Sequence, residues 1–416
     1  MKGKHPKRVI PEDRKQSVHD HIMSIPRVES HYCRSTTRKE YFETTINLKI
    51  LYEMYKEYCN DRTIVPVQEH MYRHIYNYEY NIEFLKPKKD RCDKCEEFRN
   101  NADASDEEKE KFEEHLRMKT ETKVERDNDR VNKERAIICF DLENVLSLPR
   151  ANISSFFYRR KLSVYNLTAH CSLDKNGYCA IWSEGLSGRT GNDIASSLIR
   201  ILEKVMGRHP DVKDIVLWSD SCVAQNRNSI MCVALKDFLK RYPFVNSITQ
   251  KFCQPGHSSI QEVDAVHSLI ERTLKKCEVF SPVSLMRILP SVNRKHPLIV
   301  LQMRHEHFFD YQSVSKLYKY SDIPFTKTKQ IMYLSTHPYH VLYKTSHTEN
   351  FLEVRIVDRR PERNINPNLL SPLPKIKSIP ISSGSLLSQD KIKDLTAMLK
   401  FMPAVDRQYV KAICRL

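Results

Sequence analysis

One stretch constrains this chain more than any other. Ala136 to Phe140 (Ala-Ile-Ile-Cys-Phe) is an unbroken apolar run that stops on an acid, Asp141. A short apolar run with polar boundaries has the pattern of a buried strand. The pattern returns at Asp214 to Ser219 (Asp-Ile-Val-Leu-Trp-Ser), again followed by an acid, Asp220. Between the two, Phe156 to Cys171 and Tyr178 to Trp182 read as strands, their turn marked by Asp174, Asn176 and Gly177. Asn192 to Met206 is an amphipathic helix with Ile194, Leu198, Ile201, Leu202 and Val205 inward. A helix over Ser229 to Arg241, a strand over Ser247 to Cys253, the Pro255-Gly256 turn and a helix over Val263 to Lys275 complete the run.

Three strands, helix, strand, helix, strand, helix is the order of the ribonuclease H-like fold, in which an antiparallel meander continues into parallel βαβ units. The expected class is therefore α/β, a mixed sheet flanked by helices, with an N-terminal helical region and a zinc knuckle as an added candidate feature. Residues 1–85 form a basic helical region and a candidate DNA-binding module. Within it, Pro11 to Ile25 and Ile46 to Cys59 have helical spacing, and a further helix is expected to start at Pro66, a favoured first helical position. Two short helices around a polar break fit a helix-turn-helix and equally a small bundle that only packs. Residues 86–135 hold a Cys-x-x-Cys segment and a long solvated helix, introduced by the capping box Ser105/Glu108. The core is expected over 136–345; after about residue 280, strands are expected near Met303 to Phe309 and Val354 to Val357, and helices near Leu285 and Leu395. Residues 346–416 are an extension with a proline-rich linker, Pro361 to Pro380, and a short helix.

Composition narrows the function. Lys and Arg number 68 against 52 Asp and Glu, a formal net charge of +16, which points to an anionic polymer as partner. No apolar run approaches the roughly 18 residues of a membrane span, and the opening MKGKHPKRVI carries no apolar signal core. The 12 cysteines accordingly read as reduced thiols or metal ligands, and the cluster Lys2, Lys4, Lys7, Arg8 permits nuclear entry. With 8 glycines and no phosphate-cradling glycine motif, kinase, ATPase and dinucleotide-binding functions are set aside.

Two-metal phosphoryl transfer needs acidic side chains around two divalent cations, and Mg²⁺ and Mn²⁺ prefer oxygen ligands. Asp141 and Asp220 end two strands that become neighbours if those strands pair. A third acid should come from the last helix, where Glu262, Asp264 and Glu271 occur with His257 and His267 nearby. Glu262 and Asp264 point about 200° apart on a helix, so only one of them serves the same site.

The blocks FDLENVLSLPR (140–150), WSDSCVAQNRN (218–228) and PGHSSIQEVDAVHSLIE (255–271), with SHYCR (30–34), KPKKDRCDKC (86–95) and DLTAMLKFMPAV (394–405), resemble a group of eukaryotic transposon-derived proteins with a transposase-like, ribonuclease H-like domain. The resemblance spans most of the chain. It implies a DDE/D-type site with Asp141 and Asp220 as first and second acids, and its Gly-His…Asp spacing favours Asp264 over Glu262 as the third. It implies Mg²⁺ or Mn²⁺ as cofactor, transposon ends and target DNA as partners, DNA strand cleavage and transfer as activity, and a homodimer as one assembly to expect. Gln225, Asn226 and Asn228 either contact substrate or cap the next helix. His257 either orients a phosphate or water or makes a turn hydrogen bond. The runner-up function is a non-catalytic DNA-binding or chromatin-associated protein derived from a transposase, in keeping with a copy truncated at its N-terminus. A nuclease acting on RNA has the same charge and topology.

Cys92 and Cys95 are the one close cysteine pair and form half of a tetrahedral zinc site. Cys33 (or His31) and His115 are the candidates for the other half, giving Cys33, Cys92, Cys95 and His115 as the expected structural zinc set.

Overall fold

A computed structural model describes residues 11–25, 40–42, 47–84, 92–101, 103–153, 156, 159–257, 261–357, 376–379 and 387–415. The chain divides into two compact units, Met1–Arg91 and Cys92–Leu416. In the first, helices α1 (Glu12–Ser24), α2 (Leu48–Asp61) and α3 (Glu69–Glu79) accompany a parallel pair of short strands, β1 (Glu40–Phe42) and β2 (Ile82–Phe84). Val18, Ile22, Leu51, Tyr55, Tyr72 and Ile75 form its core. Asn47 caps α2 by accepting from the Lys49 and Ile50 amides. α3 starts three residues after Pro66, not on it. Val67 is held extended instead, its amide donating to Tyr55 Oη at 3.3 Å and its carbonyl accepting from Tyr52 Oη at 2.9 Å.

The second unit runs α4 (Asp93–Asn100), α5 (Asp106–Val131), β3 (Ala136–Leu142), β4 (Leu146–Leu148), β5 (Leu162–Cys171), β6 (Gly177–Ser183), α6 (Gly191–Arg208), β7 (Asp214–Ser219), α7 (Ser229–Arg241), β8 (Ser247–Phe252), α8 (Glu262–Leu274), α9 (Pro282–Ile288), β9 (Ile299–Gln302), α10 (Tyr311–Ser315), β10 (Gln330–Leu334), β11 (His340–Lys344), β12 (Leu352–Arg355), α11 (Gln389–Met398) and α12 (Ala404–Cys414). Its strands form one ten-stranded mixed sheet in the order β12-β11-β10-β8-β7-β3-β5-β6-β9, with β4 also on β5. β3, β5 and β6 are an antiparallel meander, and β7 and β8 run parallel to β3. β3 and β4 lie along the same edge of β5. The register slips by one residue between them, a bulge placed just beyond Asp141.

Side chains alternate across this sheet. Phe140, Leu167 and Ala180 pack under α6 and α7 with Ile194, Leu198, Leu202, Leu235 and Phe238. On the opposite face, Ile137, Cys139, Val216 and Trp218 meet Val263 of α8. Further along that face, Leu162, Val164 and Ile181 pack with Val266 and Ile270 of α8 and with Leu285, Leu395 and Val410 of α9, α11 and α12. The C-terminal segment thus belongs to the core of this unit. Residues 361–375, most of the expected linker, lie outside the described residues. The strand expected over Met303 to Phe309 sits earlier, at β9, and β4, β10 and β11 extend a sheet for which the sequence supplied no such expectation.

Helix α5 opens with the Ser105/Glu108 capping box but is not simply solvated. Its buried positions, His115, Thr122, Arg126 and Asp129, are all polar. Asp129 Oδ2 accepts from Trp218 Nε1 and from Lys251 Nζ, each at 2.7 Å, while Lys251 also donates to Glu125 at 2.6 Å. The Arg126 guanidinium lies 5.0 Å from the centre of the Trp218 ring. Asp129→Ala leaves the buried Trp218 Nε1 without its acceptor and Lys251 with Glu125 alone, so it should destabilise this unit by about 1–3 kcal/mol. Both tryptophans, Trp182 and Trp218, lie in this unit. Urea unfolding followed by tryptophan fluorescence is the measurement, and a loss under about 1 kcal/mol would contradict the lock.

Candidate functional site

Three elements converge on the α8 face of the sheet. Asp141 stands near the end of β3, Asp220 follows β7 directly, and Asp264 lies in the first turn of α8. Each acid commits one oxygen locally. Asp141 Oδ1 accepts from the Leu142 amide at 2.8 Å. Asp220 Oδ1 accepts from the Cys222 amide at 3.2 Å and from Asn226 Nδ2 at 2.5 Å. Asp264 Oδ2 accepts from the Gln261 amide at 2.7 Å, capping its helix. The second oxygen of each accepts no hydrogen bond among the described residues. Burial, then the charge of Asp220, then that of Asp264 push the Asp141 carboxyl up to about 7. Carboxylates crowded in this way are stabilised by a cation.

Asp141, Asp264 and His267 bring ligand atoms within 4.8 Å of one another, a group able to hold a metal ion. Burial holds the His267 imidazole down near 4, against the opposing charge of Glu271. Glu143 belongs to the same region. It is 4% exposed, its Oε2 accepts from Asn166 Nδ2 at 2.7 Å, and its Oε1 has no partner among the described residues. Burial, with Glu271 and Asp141 adding to it, raises this carboxyl to about 7 as well. Glu143 is not among the expected site residues, and the sequence places His267 near the third acid without giving it a role. The signals were present as spacing: Asp141-x-Glu143 for one strand face and Asp264-x-x-His267 for one helix face.

Glu262, the alternative third acid, lies on the other side of α8. Burial alone would raise its carboxyl. The Arg126 charge outweighs that, together with hydrogen bonds that include Cys139 and Arg130, and holds it near 2. Glu262 pairs with Arg126 and, at 2.8 Å, with Arg130. Of the other expected residues, Asn226 anchors Asp220, and Asn228 caps α7 by accepting from the Met231 amide at 2.9 Å. Gln225 is half-buried, its amide bonded to the Cys222 carbonyl. Buried Arg227, which the sequence did not single out, donates to the Ser221 and Thr328 carbonyls and braces the same loop.

A second group lies at the start of this unit. Cys92 Sγ is 3.3 Å from His115 Nε2, Cys95 Sγ is 3.4 Å from it, and Cys95 Sγ is 3.2 Å from His257 Nε2. The two imidazole nitrogens are 3.0 Å apart, and all four ligand atoms lie within 4.8 Å. These residues can hold a metal ion. His257 makes the expected turn hydrogen bond, its backbone N–H donating to the Gln254 carbonyl at 2.9 Å, while its imidazole joins the cysteines; Cys33 and His31 lie outside the described residues. Gly256, at φ +73°, makes the approach possible, since a Cβ there would stand 2.6 Å from Cys92 Sγ. Burial lowers both imidazoles and raises the Cys95 thiol. No family model matches the chain, and no curated protein sequence does.

The Asp141 shift has a stability consequence. Its folded pKa of about 7 lies above the unfolded value of about 3.9, so the folded state keeps a proton that the unfolded state releases. That contribution is present at low pH and lost as pH rises toward 7. Asp141→Asn should therefore raise Tm at pH 8 by roughly 2–6 °C, and by less at pH 5, without added divalent cation. Calorimetry at the two pH values checks this; an equal effect at both contradicts the crowding.

Proposed function

We propose that the chain is a metal-dependent phosphoryl transferase of the transposase DDE/D type, acting on DNA, with Asp141, Asp220 and Asp264 as its acids. One observation carries the reading: acids from β3, the end of β7 and the start of α8 meet on one face, each with an oxygen that accepts no hydrogen bond among the described residues. The strand order β6-β5-β3-β7-β8, antiparallel through the meander and parallel thereafter, supports a ribonuclease H-like core. The chain's charge of +16 supports a polyanionic substrate, and the motif resemblance supports DNA.

The hard oxygen donors fit Mg²⁺ or Mn²⁺, held by Asp141 with Asp220 and with Asp264. Such cations supply charge neutralisation at the attacking and leaving oxygens of an in-line displacement. The protein's share is position. Asn226 orients Asp220, the Leu142 amide orients Asp141, and the capping bond to Gln261 fixes Asp264. The sheet and α8 hold these groups before substrate arrives, so little reorganisation is left to the reaction.

Purified protein should nick duplex DNA when Mn²⁺ or Mg²⁺ is added, and Asp220→Asn should reduce the rate by about three orders of magnitude or more. Cleavage that survives both Asp141→Asn and Asp220→Asn contradicts the assignment. Metal-independent DNA binding without any cleavage would favour a non-catalytic DNA-binding protein of the same descent.

For the second group, two thiolates and two imidazoles suit tetrahedral Zn²⁺, a structural centre tying α4 and α5 to the loop before α8. Protein purified without chelator should carry about one zinc per chain by elemental analysis. Cys95→Ser and Gly256→Ala should each lower that figure, the second by crowding Cys92. Full zinc in the Cys95→Ser variant would contradict the set.

A further inference from the structure

Helix α8 carries its chemistry as a stripe beside its apolar seam. Val263, Val266, Ile270 and Leu274 face the core. Asp264 and His267 are one turn apart on a neighbouring face, and Glu271 continues that face by another turn. A ring nitrogen of His267 and carboxylate oxygens of Asp141 and Asp264 stand within 4.8 Å of one another. His267 Nε2 is buried and makes no hydrogen bond among the described residues. A core histidine serving only structure has its ring nitrogens satisfied by protein groups; this one turns its polar edge toward acids. Glu143 marks the same place independently. Two residues beyond Asp141, it is 4% exposed with Oε1 unpartnered among the described residues, and its carboxyl feels the charges of Asp141 and Glu271.

We propose that His267 is a metal ligand, joining Asp141 and Asp264 around one divalent cation. This rests on reading the three acids as a divalent-metal site and makes the two cation positions unequal. One is bounded by Asp141 and Asp220, oxygen only. The other adds an imidazole nitrogen, placed by the i, i+3 spacing that lets one helix give a carboxylate and a histidine to one ion. Mg²⁺ is hard and keeps to oxygen, whereas transition cations accept nitrogen more readily. The His267 position therefore selects Mn²⁺ over Mg²⁺, and the ion class this site takes is a transition metal.

The test uses the full chain with its Cys/His centre loaded with zinc, and Mn²⁺ alone as the probe. Pulsed electron paramagnetic resonance should show nitrogen hyperfine coupling on bound Mn²⁺, lost in His267→Gln. That variant should weaken Mn²⁺ binding at least about tenfold while Mg²⁺ binding changes less than about twofold. His267→Asp should restore Mn²⁺ binding and strengthen Mg²⁺, because the position becomes all-oxygen; it also guards against misreading a folding defect in the first variant. Asp141-dependent Mn²⁺ binding without nitrogen coupling overturns this assignment alone. An equal loss of both ions in His267→Gln also overturns it. If no Mn²⁺ binding depends on Asp141, the assignment fails together with the phosphoryl-transfer reading beneath it.

Discussion

β3 is paired on both edges, antiparallel to β5 and parallel to β7, and the rest of the larger unit hangs on that double pairing. It places an apolar row, Ala136, Ile138 and Phe140, under α6 and α7. By alternation it turns Ile137, Cys139 and Asp141 toward α8. A slip of one residue would bury the acid in the apolar core and turn the hydrophobic row toward α8, so the register of the strand and the existence of the site are one constraint. The bulge after Leu142 relieves the strand just past the acid, where Glu143 turns into its buried position.

The site opposes the stability of the fold that builds it. Asp141 is driven toward neutrality by burial and by Asp220 and Asp264, and Glu143 by burial and by Glu271 and Asp141. A sheet selected for stability alone would place apolar side chains there. Compensation lies nearby in the polar lock of α5: Asp129 with Trp218 and Lys251, and Arg126 with Glu262. Glu262 and Asp264 show the division of labour on one helix turn, the first neutralised by arginines, the second left facing acids.

What could be read from the sequence was whatever a single segment determines. The apolar runs of β3 and β7, the seams of α6 and α8 and the Ser105 capping box are local patterns, and the structure has them where they were expected. The misses are tertiary. β10 and β11 are short pieces buried only in part, with Tyr333 and Val341 inside, and become strands by pairing outward from β8. The buried face of α5 is polar, so no hydrophobic period announces it. His257 reaches Cys95 across more than a hundred residues, and only the fold shows that it, rather than a residue close to the cysteines in sequence, completes the group within the described residues. His267 and Glu143 were legible as spacing, but spacing alone does not tell a ligand from a surface residue.

The central claim is that Asp141, Asp220 and Asp264 hold divalent cations for phosphoryl transfer. The most direct measurement is a crystal structure of the zinc-loaded chain with Mn²⁺, using anomalous scattering at the manganese edge. The account requires two manganese peaks about 3.5–4 Å apart, with an Asp141 oxygen between them and Asp220 and Asp264 on either side. Manganese absent from these carboxylates, or confined to the Cys/His group, would contradict it.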